Sequence, residues 1–581
     1  MILSNSNNHS LPEFDRKFLE SLEEFTVIGE GSLGGKARGL AYIRNVLREK
    51  IAYSDFPMIE IKIPRLTVIR TEYFDAFMER NNLYETGYSD LSDDRIAHAF
   101  QEADLPVEIV GDLRAIVEEV HQPLAVRSSS MLEDAIYEPF AGIYQTKMIA
   151  NNQPDVDQRF HRLCEAIKFV YSSVYFKAAK EYFKASSHTI REEKMAVIIQ
   201  ELIGQKHYNR FYPEISGVAR SFNYYPSGRA KPEHGVVSLA LGLGKSIVDG
   251  ELVWNYSPEF PKAVPPFADP DDMLKNTQTK FWAVTMTDNH EYNPTKENEY
   301  LEHLHLGDAD YDGTLTNIAS TYSVASSKFV MGTALPGPRL LNFSPLLVLN
   351  DYKFNDCIKK LMQVSGETFD TPVEIEFAAT FDIETKKMHL GFLQVRPMVI
   401  NAGSVEISDD ELKSEKAFAA TDRALGNGIV DNIYDVVFVE PSTFDKRITK
   451  EIALEIEELN KNLLASQTPY LLIGFGRWGS SDPWLGIPVE WGQIAGASVI
   501  IESTLFAMNV DLSQGSHFFH NLTSFNVKYF SINFDGKYKI DWKWLGEQKL
   551  ITEKRYVKHV RLEESLTVKV DGRTGKGVIL K

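Results

Sequence analysis

The sequence predicts an α+β protein of several domains, and three observations support this prediction. From about residue 60 to residue 200, extended runs such as IKIPRLTVI and PLAVRSS alternate with helical stretches such as DRIAHAFQEADL. A second strand pair, PVEIEFAATFD and MHLGFLQVRPMVI, is joined by the turn-like IETKK. The chain has 581 residues, which at roughly 150 residues per domain corresponds to about three or four domains. Strands and helices mixed in this way are typical of two-layer helix–sheet domains.

The pattern along the chain divides it into four regions. We expect a polar arm with a short amphipathic helix at 1–24, a main domain at 25–400, a linker at 401–428 and a C-terminal domain at 429–581. The linker begins with the polar, acidic stretch NAGSVEISDDELKSEK, which is typical of interdomain connections. Inside the main domain, residues 256–335 have weak periodicity and are expected to form an irregular excursion.

Composition excludes several classes of protein. The chain carries 62 Lys+Arg and 81 Asp+Glu, a net charge of −19, which argues against a nucleic-acid coat while leaving a nucleotide pocket open. Only Cys164 and Cys357 occur, without a CxxC pair, so neither a disulfide framework nor a cysteine zinc site is expected. The sequence shows no signal peptide and no run of eighteen apolar residues. We therefore expect a cytoplasmic protein that binds neither nucleic acid nor membrane.

The first chemical motif is the glycine-rich stretch GEGSLGGKARGL at 29–40. Its glycines allow a close backbone approach, and Lys36 lies where a helix begins, a position that favours an anion. The spacing differs from that of a P-loop, because Ala37 follows the lysine. The alternative interpretation is a strand-to-helix turn with an exposed lysine.

The second motif, PLAVRSSSMLEDAIYEPFAGIYQT, places Arg127 at the end of an apolar strand from Leu124 to Val126. The serines after it, Ser128 and Ser129, offer hydroxyl and backbone donors, and arginine suits forked contacts with phosphate. The alternative is a polar loop in which Arg127 forms a structural ion pair.

The third motif combines VEIEF with FLQVRP. Strand alternation puts Glu374 and Glu376 on one face, and Gln394 and Arg396 on one face of the partner strand. Carboxylate and amide oxygens suit Mg²⁺, and arginine balances phosphate charge. The alternative is an exposed charged ladder.

Taken together, the ordered motifs resemble the nucleotide-binding half of the phosphoenolpyruvate synthase and pyruvate phosphate dikinase family over roughly residues 25–400. GGKARGL, AVRSSSMLEDAIYEPFAGIYQT, MAVIIQELI with ISGVARSFNYYP, GLGKSIVDG and VEIEF…FLQVRP occur in the family's order. The resemblance implies an ATP-grasp domain of two subdomains that binds ATP with Mg²⁺, followed here by a smaller α/β domain.

The resemblance also implies roles for individual residues. Lys36 and Arg127 would contact the ATP phosphates, with Arg127 as a catalytic residue, and the Ser128–Asp134 loop would close over them. The remaining nucleotide-binding residues would be Ser128, Ser129, Gln200, Glu201, Leu202, Glu374, Glu376, Gln394 and Arg396. Glu376 and Gln394 would hold the metal. One position departs from the family, because Lys245 replaces the carboxylate of a GLGE motif.

The C-terminal 150 or so residues are too few for the family's pyruvate-binding barrel, which needs upwards of about 200. DRALGNGIVDNIYDVVFVEP is similar to the opening of the family's swivelling domain, and QGSHFF is similar to its phosphocarrier motif. His517 is therefore a candidate phosphocarrier, with His520 as a weaker one; the alternative is a structural histidine in a helix cap. Gly474, Gly476 and Gly479 with Trp478 and Trp484 form either an anion- or sugar-binding loop or a tight turn packed by tryptophan.

These features favour an ATP-dependent phosphotransferase of the kinase or dikinase type. By resemblance, the β-phosphoryl group of ATP would pass through a pyrophosphoryl stage to a histidine or a bound acceptor, releasing AMP and phosphate. The final acceptor would be a substrate of the C-terminal region or another chain. The alternatives are a non-catalytic ATP-sensing module that regulates a partner, and one piece of a longer protein.

Overall fold

The computed structural model describes most of the chain and shows helices mixed with strands in several sheets. The described residues are 11–16, 25–133, 142–186, 188–223, 226, 229–263, 270–287, 291–398, 405–480, 482–506, 508, 522 and 525–581. The predicted mixture of α and β structure is confirmed.

The helices of the described residues carry the labels α1 to α14 in chain order. They are α1 (Gly34–Lys50), α2 (Thr71–Arg80), α3 (Tyr84–Tyr88), α4 (Asp93–Glu102), α5 (Val107–Glu119), α6 (Val156–Ser172), α7 (Lys177–Ala185), α8 (Lys245–Val248), α9 (Pro270–Lys275), α10 (Leu306–Asp312), α11 (Phe354–Phe369), α12 (Asp409–Leu412), α13 (Thr449–Ala465) and α14 (Trp542–Gly546).

The strands are labelled in the same way. They are β1 (Phe25–Ile28), β2 (Ile59–Lys62), β3 (Leu66–Ile69), β4 (Leu124–Ser130), β5 (Thr146–Ile149), β6 (Met195–Glu201), β7 (Gln205–His207), β8 (Arg210–Tyr212), β9 (Ile215–Arg220), β10 (Val236–Ala240), β11 (Trp254–Tyr256), β12 (Lys280–Thr285), β13 (Leu301–His305), β14 (Ala319–Ser323), β15 (Lys328–Met331), β16 (Arg339–Leu341), β17 (Val373–Phe381), β18 (Met388–Pro397), β19 (Ala417–Thr421), β20 (Ala424–Leu425), β21 (Gly428–Val439), β22 (Tyr470–Phe475), β23 (Arg477–Trp478), β24 (Gly486–Ile487), β25 (Ala497–Ser503), β26 (Lys528–Ile532), β27 (Lys549–Glu553), β28 (Val557–Asp571) and β29 (Lys576–Leu580).

Two sheets organise the first 400 residues. Sheet A has the order β1-β3-β6-β4-β5, and sheet B has the order β11-β10-β9-β17-β18-β2. One face of sheet A is covered by α2, α4, α5 and α6, while its other face packs on α1. The predicted helix at α1 is confirmed, because Ala37, Leu40 and Ile43 recur at helical spacing and are buried against both sheets.

The segment 256–335 is more regular than its sequence indicates. It contributes β12 and β13 to a four-stranded sheet with β7 and β8, and β14 and β15 to a three-stranded sheet with β16. The expectation of an irregular excursion is therefore wrong for these strands. All four strands have only four to six residues, which is short for a periodic signal. β13 and β15 are also largely exposed, so these two lack the apolar alternation by which strands are detected.

The C-terminal residues form a nine-stranded sheet in the order β19-β29-β28-β21-β22-β25-β26-β20, with β27 beside β28. Four of its strands, β21, β22, β25 and β26, run parallel, and α13 covers one face. Part of the predicted linker at 401–428 belongs to this sheet, since β19 pairs with β29 and β20 with β26. An ion pair at 2.7 Å between Lys569 and Glu411 adds to this attachment. The polar residues 401–416 led to the prediction of a linker, and the short strands β19 and β20 that follow them were included in it.

The two cysteines are buried and free, so the expectation of no disulfide agrees with the structure. Within the described ranges, no helix combines the length and the apolar character that a membrane span requires.

A buried carboxyl group between β8 and β9 leads to a prediction about stability and pH. Burial raises the pKa of Glu214 to about 7 from an unfolded value near 4.5, and its Oε2 has no hydrogen-bond partner in the described part of the chain. The folded state therefore retains a proton that the unfolded chain releases, so stability falls as pH rises from about 4.5 to 7. The stability lost between these two pH values is on the order of 3 kcal/mol.

Glu214→Gln should flatten this part of the stability curve, as measured by urea unfolding at pH 5, 6, 7 and 8. Glu302→Gln, at an exposed position in β13, is the matched control and should follow the wild-type curve. Parallel curves for wild type and Glu214→Gln would contradict the prediction.

Candidate active site

Arg127 is the point at which three of the sequence motifs meet. From β4 of sheet A, its Nη1 donates to Gln200 Oε1 at 3.3 Å and to the Leu393 carbonyl oxygen at 3.1 Å. Its Nη2 donates to Gln394 Oε1 at 2.8 Å and to Glu376 Oε2 at 3.3 Å. One guanidinium group thus joins strands of sheet A to strands of sheet B.

The strand registers explain this convergence. Ala125 lies opposite Gln200 across β4 and β6, so alternation puts the Arg127 and Gln200 side chains on the same face of sheet A. In sheet B, Glu376 lies opposite Gln394 in the antiparallel pair β17–β18, and the register shifts directly after Glu376. Glu376 and Gln394 are therefore cross-strand neighbours on one face of sheet B.

Lys36 lies at the start of α1 and is largely buried. Its Nζ forms an ion pair with Glu133 Oε1 at 2.6 Å and donates to Ser128 Oγ at 3.2 Å. The alternative of an exposed lysine on a turn is wrong. Sequence reasoning gave Glu133 no role beyond its place in the Ser128–Asp134 loop, although a carboxylate shortly after the strand was an available signal.

The serine run lies inside the strand and not in a loop after it. β4 extends through Ser130, and all three serines are fully buried. Ser129 Oγ accepts from the Ala37 N–H at 3.1 Å and donates to the Leu33 carbonyl at 2.7 Å, which fixes the start of α1. Gly34 is required here, because it has φ 73° and a Cβ would lie 1.7 Å from the Ser129 carbonyl oxygen. Asp134, the end of the predicted Ser128–Asp134 loop, lies outside the described residues.

Glu374 occupies a different environment from Glu376. It lies between two guanidinium groups and forms close ion pairs with Arg220 of β9 and Arg396 of β18. All three side chains are buried, at 4%, 8% and 3% exposure respectively. Arg220 was missed by sequence reasoning, because its partner is 154 positions away and only the pairing of β9 with β17 brings them together.

The three residues predicted on the adenine side have different surroundings. Gln200 faces the Arg127 cluster, and its Nε2 is buried without a hydrogen-bond partner in the described part of the chain. Glu201 instead forms an ion pair with Arg65 at 3.6 Å, and burial raises its pKa. The Leu202 N–H donates to the Pro123 carbonyl at 2.9 Å.

Lys245, the departure from the GLGE pattern, begins the short helix α8. Its Nζ lies 3.2 Å from Asp249 Oδ2 and 3.7 Å from Glu297 Oε2. Burial raises the pKa of both carboxyl groups, and Lys245 acts against this shift in each case. The charge of Lys245 is therefore balanced by Asp249 and Glu297 of the same chain.

The C-terminal candidates are only partly visible. His517, His520 and the whole QGSHFF motif lie outside the described residues. In the glycine- and tryptophan-rich segment, Trp478 is buried and its Nε1 donates to the Ile501 carbonyl at 3.2 Å, as the tight-turn interpretation expects. Arg477 Nη1 donates to the Gly250 carbonyl at 2.9 Å, which links this segment to the turn after α8.

The oxygen atoms around Arg127 suit a hard cation. Glu376 and Gln394 supply a carboxylate and an amide oxygen that already converge on one positive group. Mg²⁺ is commonly bound by one or two carboxylates together with substrate phosphates, so this small donor set fits it. No cluster of three or more His, Cys, Asp or Glu side chains that would hold a metal without such phosphates occurs among the described residues.

Comparison with known proteins identifies the family of this chain. A protein of Bacillus subtilis (strain 168) named "Uncharacterized phosphotransferase YvkC" is 27% identical over 192 residues, which is 33% of this chain and 21% of the relative. The chain thus matches about a fifth of that relative's length. Residues 30–416 match the family described as "Pyruvate phosphate dikinase, AMP/ATP-binding domain". Because this match covers more than half of the chain and includes the whole Arg127 cluster, the chain belongs to the pyruvate phosphate dikinase AMP/ATP-binding domain family.

Proposed function

We propose that this protein is an ATP-dependent phosphotransferase that binds the nucleotide between sheets A and B. The observation that carries the proposal is the convergence of Gln200, Glu376 and Gln394 on Arg127. A buried guanidinium held by groups from both sheets is suited to forked contacts with phosphate oxygens. In this proposal the two sheets belong to the two subdomains of an ATP-grasp fold.

Lys36 and Arg127 would bind the phosphate groups of ATP. Their charges are now balanced by Glu133 and Glu376, so phosphate binding would add to or replace these carboxylate contacts. The N-terminus of α1, where Lys36 lies, favours negative charge as well. Ser128 and Ser129 would hold Lys36 and the first turn of α1 in position, since Ser128 accepts from Lys36 and Ser129 accepts from the Ala37 N–H.

The adenine side of the nucleotide would lie near the end of β6. The buried Nε2 of Gln200 is a hydrogen-bond donor without a partner among the described residues, and such a group is costly unless a ligand satisfies it. Glu201 and Leu202, the next residues of the chain, complete this proposed region.

Glu376 and Gln394 would hold Mg²⁺ when ATP is bound. The ion would bridge phosphate oxygens and neutralise the charge that develops on them during transfer. Glu374 and Arg396 would act beside them, the former by fixing Arg396 and Arg220 in place.

The proposed reaction is of the dikinase type, with a histidine or a bound acceptor receiving the phosphoryl group. Family membership and the word "phosphotransferase" in the name of the B. subtilis relative support this class. His517 is the proposed phosphocarrier, and the C-terminal region is the proposed swivelling domain.

Incubation with ATP labelled at the β or the γ position tests the proposal. The β label should appear on the protein in an acid-labile form, with AMP and labelled γ-phosphate in solution. Lys36→Ala should reduce labelling at least tenfold, because it removes a charged phosphate contact. Lys50→Ala, at the exposed end of the same helix, is the matched control and should label like wild type.

His517→Ala should bind ATP but retain no label. Equal turnover of ATP by wild type and Lys36→Ala would overturn the proposal. The replacement of the family carboxylate by Lys245, paired within the protein, favours a second candidate, an ATP-sensing module. ATP binding by the wild type without AMP formation would support that candidate.

A further inference from the structure

A buried carboxylate outside all the motifs, Glu193, connects two segments that flank the proposed phosphate site. It lies just before β6 and is 3% exposed. Its Oε1 accepts from the Met131 N–H at 2.9 Å, and its Oε2 accepts from the Tyr144 hydroxyl at 3.1 Å. Met131 directly follows β4, and Tyr144 lies two residues before β5. The Glu193 side chain therefore connects the end of β4 to the start of the neighbouring strand β5.

The contacts continue from Glu193 to Lys36. Ser130 also acts on Tyr144, because the serine side chain lowers the pKa of the tyrosine against the effect of burial. The Ser130 N–H donates to Glu133 Oε2 at 3.1 Å, and the Glu133 N–H donates back to Ser130 Oγ at 3.0 Å. Glu133 in turn pairs with Lys36 at 2.6 Å. Glu193 and Lys36 are thus connected through Tyr144, Ser130 and Glu133, all three of which are buried.

Burial of Glu193 in this position costs folding free energy. None of the described residues forms an ion pair with it, and burial raises its pKa to about 7. Burial likewise raises the pKa of Tyr144, so the hydroxyl remains a donor. A buried carboxyl group without a charged partner costs stability, and an apolar residue here would take away the acceptor of the Tyr144 hydroxyl. A compensating role in the site explains why it is tolerated.

We propose that Glu193 is a positioning residue for ATP binding, which orients Ser130 and Glu133 through Tyr144 and so places the Lys36 ammonium group toward the phosphates. This inference rests on the proposed function, because it assigns Lys36 to the phosphate groups. The backbone contact to Met131 is the less important one, since the Met131 N–H also donates to the Lys194 carbonyl at 3.2 Å. The contact with Tyr144 carries the effect.

The test measures the dissociation constant for ATP in the full-length protein by calorimetry, with thermal unfolding measured in parallel. Glu193→Ala should weaken ATP binding about tenfold, because it removes the acceptor for Tyr144. Glu193→Gln should bind within about twofold of wild type, because its amide oxygen can still accept from the Tyr144 hydroxyl while the Met131 N–H keeps the Lys194 carbonyl as its acceptor. Tyr144→Phe should weaken binding like Glu193→Ala, and the double variant Glu193→Ala/Tyr144→Phe should be no weaker, since both changes break one network. Glu192→Ala, at the exposed neighbouring position, should bind like wild type.

Unchanged ATP affinity in both Glu193→Ala and Tyr144→Phe would overturn the inference, even if their unfolding midpoints fell. Additive losses in the double variant would also overturn it. If Glu193→Ala does not fold, Tyr144→Phe decides alone, because it removes a single hydroxyl group. These results are separable from failure of the proposed function, in which the wild type itself would not bind ATP.

Discussion

Arg127→Ala is expected to reduce ATP-dependent labelling of the protein at least 100-fold. The guanidinium group is the one cation in the described part of the site that contacts residues of β6, β17 and β18 at once. Its loss removes a preorganised phosphate contact, and removing one such donor from an active site costs about 100- to 1000-fold in rate. Initial rates of AMP formation at saturating ATP are the measurement.

Arg127→Lys separates charge from geometry. The lysine retains the positive charge but cannot reproduce the fork in which Nη1 reaches Gln200 of sheet A and Nη2 reaches Gln394 of sheet B. We expect it to recover ATP binding in part while labelling stays far below wild type. Arg114→Ala is the matched control, because Arg114 lies on the exposed surface of α5, where it pairs with Glu118 at 3.1 Å. Wild-type activity in Arg127→Ala would show that this arginine has no role in phosphoryl transfer.

Glu374→Ala is expected to lower the free energy of unfolding by about 3–5 kcal/mol, the usual cost of removing one partner of a buried ion pair. The reason is that Arg220 and Arg396 would remain buried next to each other without their shared carboxylate. Urea unfolding followed by tryptophan fluorescence measures the loss.

Glu376→Ala, two residues along the same strand, is the control, and we expect it to affect labelling more than stability. Its carboxylate is more accessible and, among the described residues, forms one ion pair, to Arg127 at 3.3 Å. We expect a stability loss of about 1 kcal/mol, as is typical of partly exposed pairs, together with a large loss of labelling. A greater destabilisation by Glu376→Ala than by Glu374→Ala would show that the roles of the two carboxylates are reversed.

Much of the local structure followed from the sequence. The apolar spacing of α1 and the alternation in VEIEF and FLQVRP predicted a helix and two strands that the structure confirms. The order of the motifs also predicted the family. These signals are local, because helix and strand periodicity is read from neighbouring residues along the chain.

The short exposed strands of residues 256–335 and the strands inside the predicted linker were missed for a corresponding reason. β13 and β15 are largely exposed, and β19 and β20 have only five and two residues, so none of them shows a clear period. These strands exist because a neighbouring strand supplies hydrogen bonds. Sequence pattern alone does not contain that partner.

For the site, the sequence by itself predicted which side chains would serve phosphate chemistry, namely Lys36, Arg127, Glu376 and Gln394. Only the tertiary structure decided how they are arranged. It joined Arg127 to Gln394 across 267 positions and placed Glu374 between two arginines instead of beside Arg127. It also connected Glu133 and Glu193 to Lys36 through buried contacts. The physical reason is that a side chain's chemical type is encoded at one position, whereas burial and pairing depend on strand register and on the packing of segments far apart in the chain.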